Sequence, residues 1–310
     1  THPHDPYVTR KKYWDLYEDC AHLEPEIADL GYEQQDPHSK RIFDANDWRS
    51  FDIQREDIIR SRRAYFANIS YLDDKVGELL GALEATRQEA TVVFVSDHGD
   101  MLGERGLWFK MTFFEGSARV PLMIADADMA PGLVKTPVST IDVTATLGAL
   151  AGADLSELSP WTEGQSLVPL GQGGQRSEPV AMEYAAEGSY APLVALRDAR
   201  YKYVRCTLDP EQLFDLDADP HELHNLADDP AHHDALSRLR AMADQRWDLP
   251  LFDAQVRESQ ARRWVVYDAL RNGQYYPWDF QPLQQASERY MRNHMDLNVL
   301  EDNQRYPRGE

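Results

Sequence analysis

The densest cluster of chemistry-bearing residues is Ser96-Asp97-His98-Gly99-Asp100, directly after the apolar run Thr91-Val92-Val93-Phe94-Val95. A carboxylate supplies a hard oxygen and an imidazole a nitrogen, so an adjacent Asp and His can share one metal ion. A glycine after them allows the turn that exposes both. In open α/β sheets, ligands bind beyond the carboxyl ends of strands, and this cluster stands at such an end. Taken alone, Asp97-His98-Gly99 also reads as an Asp capping a turn beside a polar loop His.

The elements that must position this cluster are legible on both sides of it. Ile58, Ile59, Tyr65, Phe66, Ile69, Leu72, Val76, Leu79, Leu80 and Leu83 recur at helical steps and predict one long helix. Arg55, Arg60, Arg62, Arg63, Asp73, Asp74 and Glu78 are assigned to its wet side. The β-branched run that follows reads as a strand buried on both faces, as in a parallel sheet. A second strand is expected at Val120–Ile124 and a helix at Thr140–Ala151, stopped by Gly152. Leu155–Arg176, rich in Gly, Ser and Pro, is the boundary candidate. Short strands at Pro179–Glu183, Leu193–Leu196, Tyr201–Cys206 and Gln212–Asp215 predict a small antiparallel sheet. Helices are expected at Ala231–Gln245 and Val256–Asn272, with a short one near Lys11–Tyr17 in an otherwise loop-like 1–50. Apart from His2, His4 and His98, the histidines, including His232-His233, read as surface or loop residues.

Composition narrows the partners. The 310 residues carry 32 Lys+Arg against 53 Asp+Glu, a net charge of −21. Such a field does not suit a phosphate backbone or an anionic lipid surface; it suits cations. Neither nucleic acid nor membrane is expected as a partner. With two cysteines, Cys20 and Cys206, the chain has no disulfide framework and no Cys-rich zinc site.

The wider pattern resembles the sulfatase family of the alkaline-phosphatase-like superfamily. The residues that carry this are Asp97-His98-Gly99-Asp100, then Gly103-Glu104-Arg105-Gly106-Leu107-Trp108-Phe109-Lys110, then Glu115, then Arg119-Val120-Pro121-Leu122. Thr1-His2-Pro3-His4-Asp5-Pro6 is similar to the family's His-x-Pro-His-x-Pro segment. Leu213-Phe214-Asp215-Leu216 with Asp219-Pro220-His221-Glu222 and Asn225-Leu226 is similar to the signature of its small C-terminal sheet. Trp264-Val265-Val266-Tyr267, Tyr276-Pro277-Trp278-Asp279-Phe280 and Tyr290–Met295 resemble the C-terminal extension of bacterial choline-sulfatases.

The resemblance implies an α/β fold: a mostly parallel sheet flanked by helices, with a smaller C-terminal antiparallel sheet and an extension. It divides the chain at 1–170, 171–250 and 251–310. It also implies a divalent metal, calcium with manganese or magnesium as alternatives, on Asp97 and His98. Lys110 matches the lysine that contacts sulfate oxygens, whose task is to offset their negative charge. His4 matches the active-site histidine, a proton donor to the leaving alcohol, with His2 second. Unmatched, Lys110 reads as a snorkelling lysine and the two imidazoles as backbone-bonding groups in a Pro-rich turn.

The implied reaction is hydrolysis of a sulfate ester, choline sulfate in the subgroup, by a formylglycine nucleophile. Neither cysteine sits in the expected Cys-x-Pro-Ser-Arg-like setting, so the nucleophile is expected upstream and this chain as an inactive C-terminal portion. For a quaternary ammonium leaving group, Trp108 and Glu183 are the substrate-binding candidates. The tail around Tyr290, Met291, Leu297, Val299 and Leu300 is expected to mediate homo-oligomerisation, and the expected location is the cytoplasm. Alternatives are a phosphonate monoester or phosphodiester hydrolase of the same superfamily, and a non-catalytic metal-binding module.

Overall fold

A computed structural model describes residues 2–158 and 160–271. The aromatic turn at Tyr275–Trp278 and the proposed oligomerisation tail lie outside the described residues. The chain divides into two compact units: Thr1–Pro25 with Asn46–Ala82 and Asp253–Glu310, and Glu26–Ala45 with Leu83–Phe252.

In chain order the elements are α1 (Lys11–Trp14), α2 (Pro37–Ala45), α3 (Arg55–Thr86), β1 (Val92–Val95), α4 (Glu115–Ala118), β2 (Leu122–Ala125), α5 (Ile141–Leu150), α6 (Leu155–Leu158) and α7 (Val168–Gly171). They continue with β3 (Val180–Tyr184), β4 (Leu193–Arg197), β5 (Tyr201–Cys206), β6 (Gln212–Asp215), α8 (His233–Arg246) and α9 (Leu249–Arg271). Among the described residues no helix is long and apolar enough to cross a membrane.

The first unit contains most of α3. Its buried positions are Ser61, Arg62, Ala64, Ala67 and Asn68, while Ile69, Leu79 and Leu80 are exposed. Periodicity therefore locates the helix but not its covered face. The small residues Ser61, Ala64 and Ala67 lie on the covered face, and Arg62, assigned to the wet side, is buried with them, as is Asn68. The N-terminal turn packs on the same helix: Tyr13 donates to Asp74 at 2.7 Å and Arg63 Nε donates to the Trp14 carbonyl at 3.0 Å.

The second unit is built on a four-stranded antiparallel meander, β3-β4-β5-β6. Leu196 pairs with Tyr203 and Tyr203 with Leu213, so all three share one sheet face. With Leu236, Leu239 and Ala243 of α8 they form a closed apolar core. The opposite face carries Leu193, Lys202 and Cys206. Leu193, Cys206 and Ala191 pack with Phe113, and Phe214 meets Phe114 with ring centroids 6.3 Å apart. The meander is thus covered by α8 on one side and by the segment around Phe113 on the other. Its strands fall within one residue of the sequence expectation, because alternation against two covered faces is a strong signal.

The α/β class stands, with one correction to pairing. β1 runs antiparallel to β2, Val92 opposite Ala125 and Val95 opposite Leu122. Val95 is 38% exposed, so β1 is not buried on both faces. Among the described residues every strand pair is antiparallel. A β-branched run specifies extended backbone without specifying which strand lies beside it.

Of the elements above, α2, α4, α6 and α7 were not foreseen, and α2 is the longest of them. In α2, Asp36 accepts from the N–H groups of His38 at 3.0 Å and Ser39 at 3.1 Å. That is an Asp cap followed by Pro at the first helical position, a start signal present in Asp36-Pro37 but hidden in a stretch without clear periodicity.

Candidate metal and sulfate site

Asp97 and His98 leave the end of β1 on a turn that the sequence shapes closely. The Asp97 carboxylate accepts the His98 N–H at 2.9 Å, and Ser96 Oγ donates to the His98 carbonyl at 2.9 Å. Gly99 N–H donates to the Ser117 carbonyl at 2.8 Å. A Cβ on Gly99 would lie 2.2 Å from the Gly116 carbonyl oxygen, so only glycine lets this turn rest on α4.

The two side chains converge. His98 Nε2 lies 3.5 Å from Asp97 Oδ2, with the carboxylate 83% and the imidazole 32% exposed. His98 Nδ1 lies 2.9 Å from the Gly99 carbonyl oxygen. A carbonyl accepts only, so Nδ1 carries a proton, and in the Nδ1–H tautomer the lone pair lies on Nε2, the atom facing the carboxylate. Burial works against ionisation of Asp97, but the hydrogen bond from the His98 backbone N–H helps hold its carboxyl below the usual range. This donor pair fits a divalent ion: one ionised oxygen and one imidazole lone pair, side by side and open to solvent. Among the described residues no group of three or more His, Cys, Asp or Glu is arranged to hold a metal, so these two donors stand without a third such side chain beside them.

Lys110 is carried by a folded-back loop over 99–113. Met101 N–H donates to the Phe109 carbonyl at 2.7 Å and Gly103 N–H to the Leu107 carbonyl at 2.8 Å. Asp100 Oδ1 accepts from Leu102 at 3.0 Å and from Phe109 at 2.9 Å. Non-glycine residues Leu102, Arg105, Phe109 and Met111 take positive φ, 48°, 62°, 62° and 81°. Such backbone persists only where surrounding contacts over-determine it. Those contacts are present: Glu104 accepts from the N–H groups of Glu26 and Ile27, and Gln35 donates to the Arg105 carbonyl at 2.6 Å. Arg105 donates to the Glu222 carbonyl at 2.8 Å with its guanidinium 4.1 Å from the Phe114 ring centre.

Lys110 itself is half-buried. Trp108, 6% exposed, packs into the core, so the geometry favours the packing reading over a ligand-facing one. Glu183 on β3 accepts from Trp247 Nε1 at 2.6 Å, which ties the sheet to the end of α8. His2 and His4 lie in the first unit. His2 meets Tyr71 edge-on at 5.1 Å, and burial holds its pKa down. His4 is exposed, with Nδ1 2.8 Å from the Asp5 carbonyl oxygen.

Four buried polar residues of the second unit make contacts that the sequence reading did not assign to them. Lys202, 1% exposed on β5, donates to the Phe113 carbonyl at 2.6 Å and pairs with Glu115 at 2.7 Å and Glu222 at 2.8 Å. Glu222, 2% exposed, accepts the Glu115 N–H at 2.7 Å. Asp142, fully buried, accepts from Ser139 and Gln165 at 2.8 Å each and pairs with Arg176 at 2.5 Å. His38, assigned to the surface, is 6% exposed and bonds the Met111 carbonyl through Nε2 at 2.7 Å. The available signal for Lys202 was its place in the alternation of β5, where Tyr203 faces α8 and Lys202 must face the other way.

The family model described as Sulfatase matches residues 3–153, and that of the N-sulphoglucosamine sulphohydrolase C-terminal region matches 103–247. The chain belongs to the sulfatase family. The model described as Choline sulfatase enzyme C terminal matches residues 254–306 of this sulfatase chain. It is similar to the choline-sulfatase of Rhizobium meliloti, 65% identical over 315 residues, covering 100% of this chain and 62% of that protein. It is 29% identical to an arylsulfatase of Clostridium perfringens, over 77% of this chain and 50% of that one. Among solved structures, the phosphonate monoester hydrolase from Silicibacter pomeroyi superposes with a TM-score of 0.67 at 27% identity, over 79% of this chain and 54% of that one. This sulfatase chain therefore spans 50–62% of the length of these three relatives.

Proposed function

We propose that this chain is the metal- and sulfate-contacting portion of a sulfuric ester hydrolase whose substrate is choline sulfate. The observation that carries the reading is the Asp97–His98 pair, an ionised oxygen and an Nε2 lone pair 3.5 Å apart on a turn that only glycine permits. The whole-chain identity of 65% to a choline-sulfatase supports the substrate. Asp97 and His98 would hold a divalent ion, calcium first and manganese or magnesium next. Such an ion supplies Lewis-acid stabilisation of charge on the ester oxygens.

The chain's own residues do the rest. Lys110 offsets charge on the sulfate oxygens from a loop whose backbone is pinned, so little reorganisation is needed when charge develops. The proton-donor role rests on the match of His4, with His2 second, to the family's histidine segment. The formylglycine nucleophile, the division at 1–170, 171–250 and 251–310, self-association through the tail and a cytoplasmic location belong to the same reading. Lys110→Ala in the assembled enzyme is expected to reduce turnover of choline sulfate by about a hundredfold or more, the scale of losing one charge-stabilising group. Undiminished turnover removes Lys110 from the sulfate. The likeness to a phosphonate monoester hydrolase favours one competitor, and faster hydrolysis of aryl phosphonates than of choline sulfate would establish it.

A further inference from the structure

The loop that bears Lys110 is held from beneath by two buried donors that play no part in the proposed chemistry. His38 Nε2 lies 2.7 Å from the carbonyl oxygen of Met111, the residue after Lys110. Lys202 Nζ lies 2.6 Å from the carbonyl oxygen of Phe113. On the other side of Lys110, Asp100 Oδ1 accepts the Phe109 N–H at 2.9 Å. The two residues flanking Lys110, Phe109 and Met111, both have left-handed backbone, φ 62° and 81°. Without glycine at either position this conformation is unfavourable for a free chain.

We infer that His38 is a positioning residue for Lys110, acting through the Met111 carbonyl as the second point of a three-point backbone clamp formed with Asp100 and Lys202. The assignment of Lys110 to sulfate is the reading above, and this inference rests on it. The geometry makes His38 specific for the task. A carbonyl accepts only, so the Nε2–H tautomer is required, opposite to the Nδ1–H tautomer at His98. The ring lies edge-on to Tyr184, centroids 5.5 Å apart, which sets its plane. Asp36 caps the turn that carries His38, accepting its backbone N–H at 3.0 Å. The imidazole is thus fixed by its helix, by an aromatic neighbour and by burial, and its one donor is directed at the peptide that turns Lys110.

Two measurements on the full 310-residue chain test this. In nitrogen-edited spectra of the unaltered protein, the His38 ring is expected to show a protonated Nε2 and a bare Nδ1; a protonated Nδ1 with a bare Nε2 overturns the clamp without any variant. Hydrogen exchange is then compared among wild type, His38→Gln, which keeps an N–H at the ε position, and His38→Leu, which does not. His38→Leu is expected to speed exchange across 109–113 by about tenfold, the scale of one buried hydrogen bond, with β5 amides as the folded control. His38→Gln is expected to stay within about twofold of wild type. Equal exchange in all three, or Gln matching Leu, overturns the inference. Turnover by Lys110→Ala is read separately: if it is undiminished, the sulfate reading fails while the clamp result stands.

Discussion

Gly99 and Gly116 are in backbone contact. The space where a Gly99 Cβ would go is filled by the Gly116 carbonyl oxygen, 2.2 Å away, and Gly99 N–H bonds the next carbonyl, that of Ser117, at 2.8 Å. Gly99→Ala must therefore push α4 off the turn that carries Asp97 and His98. The expected cost is about 1–3 kcal/mol, the range for forced overpacking, measured by urea unfolding. A loss below about 0.5 kcal/mol would show that the turn moves freely.

Asp97 should behave in the opposite way. Its carboxylate is 83% exposed, so Asp97→Ala is expected to change stability by less than about 0.5 kcal/mol. Calorimetric titration of the assembled enzyme with Ca2+ and Mn2+ should show a large loss of affinity. Unchanged affinity would remove Asp97 from the ligand set.

Lys202 is a buried cation in the second unit, paired with two carboxylates. Lys202→Met leaves Glu222 buried and Glu115 without its cation, with an expected cost of about 3–5 kcal/mol. Replacing all three, Lys202→Met with Glu115→Gln and Glu222→Gln, should be milder, because no charge is then left unpaired. Equal melting temperatures for the single and triple variants would contradict this.

His38 predicts a pH dependence. Burial lowers its pKa below 6.5, and the bond to Met111 only partly opposes that; Asp36 and Asp209 pull it up and Arg41 pushes it down. The unfolded chain then takes up a proton at about 6.5 while the folded protein does not. Stability therefore falls as pH drops from about 6.5 towards the lower folded value and levels off beneath it. The slope should shrink in His38→Gln, checked by denaturant unfolding across that window; an unchanged slope assigns the titration elsewhere.

Asp142 closes the set. Its carboxylate holds two backbone N–H groups and Arg176 with no solvent access, so Asp142→Ala is expected to cost about 3–5 kcal/mol and to loosen 165–167 in hydrogen exchange. Stability near wild type would mean that 165–167 has other anchors.

The order of types along the chain determined much of this protein. Asp97-His98-Gly99 followed by Lys110 supplies the residue types on which the proposed chemistry rests: a hard oxygen, an imidazole and a cation, in that order. The meander and α8 were legible because alternation and helical spacing repeat wherever a face is covered. Tertiary structure decided what spacing cannot encode. It turned Arg62 and small residues inward on α3, paired β1 antiparallel with β2, and buried His38, Lys202, Glu222 and Asp142. His38 and Lys202 are distant in sequence from the peptides they hold, so no local pattern predicts those bonds. A hydrogen bond from His38 to Met111, or from Lys202 to Phe113, exists only once the sheet and the loop are packed together.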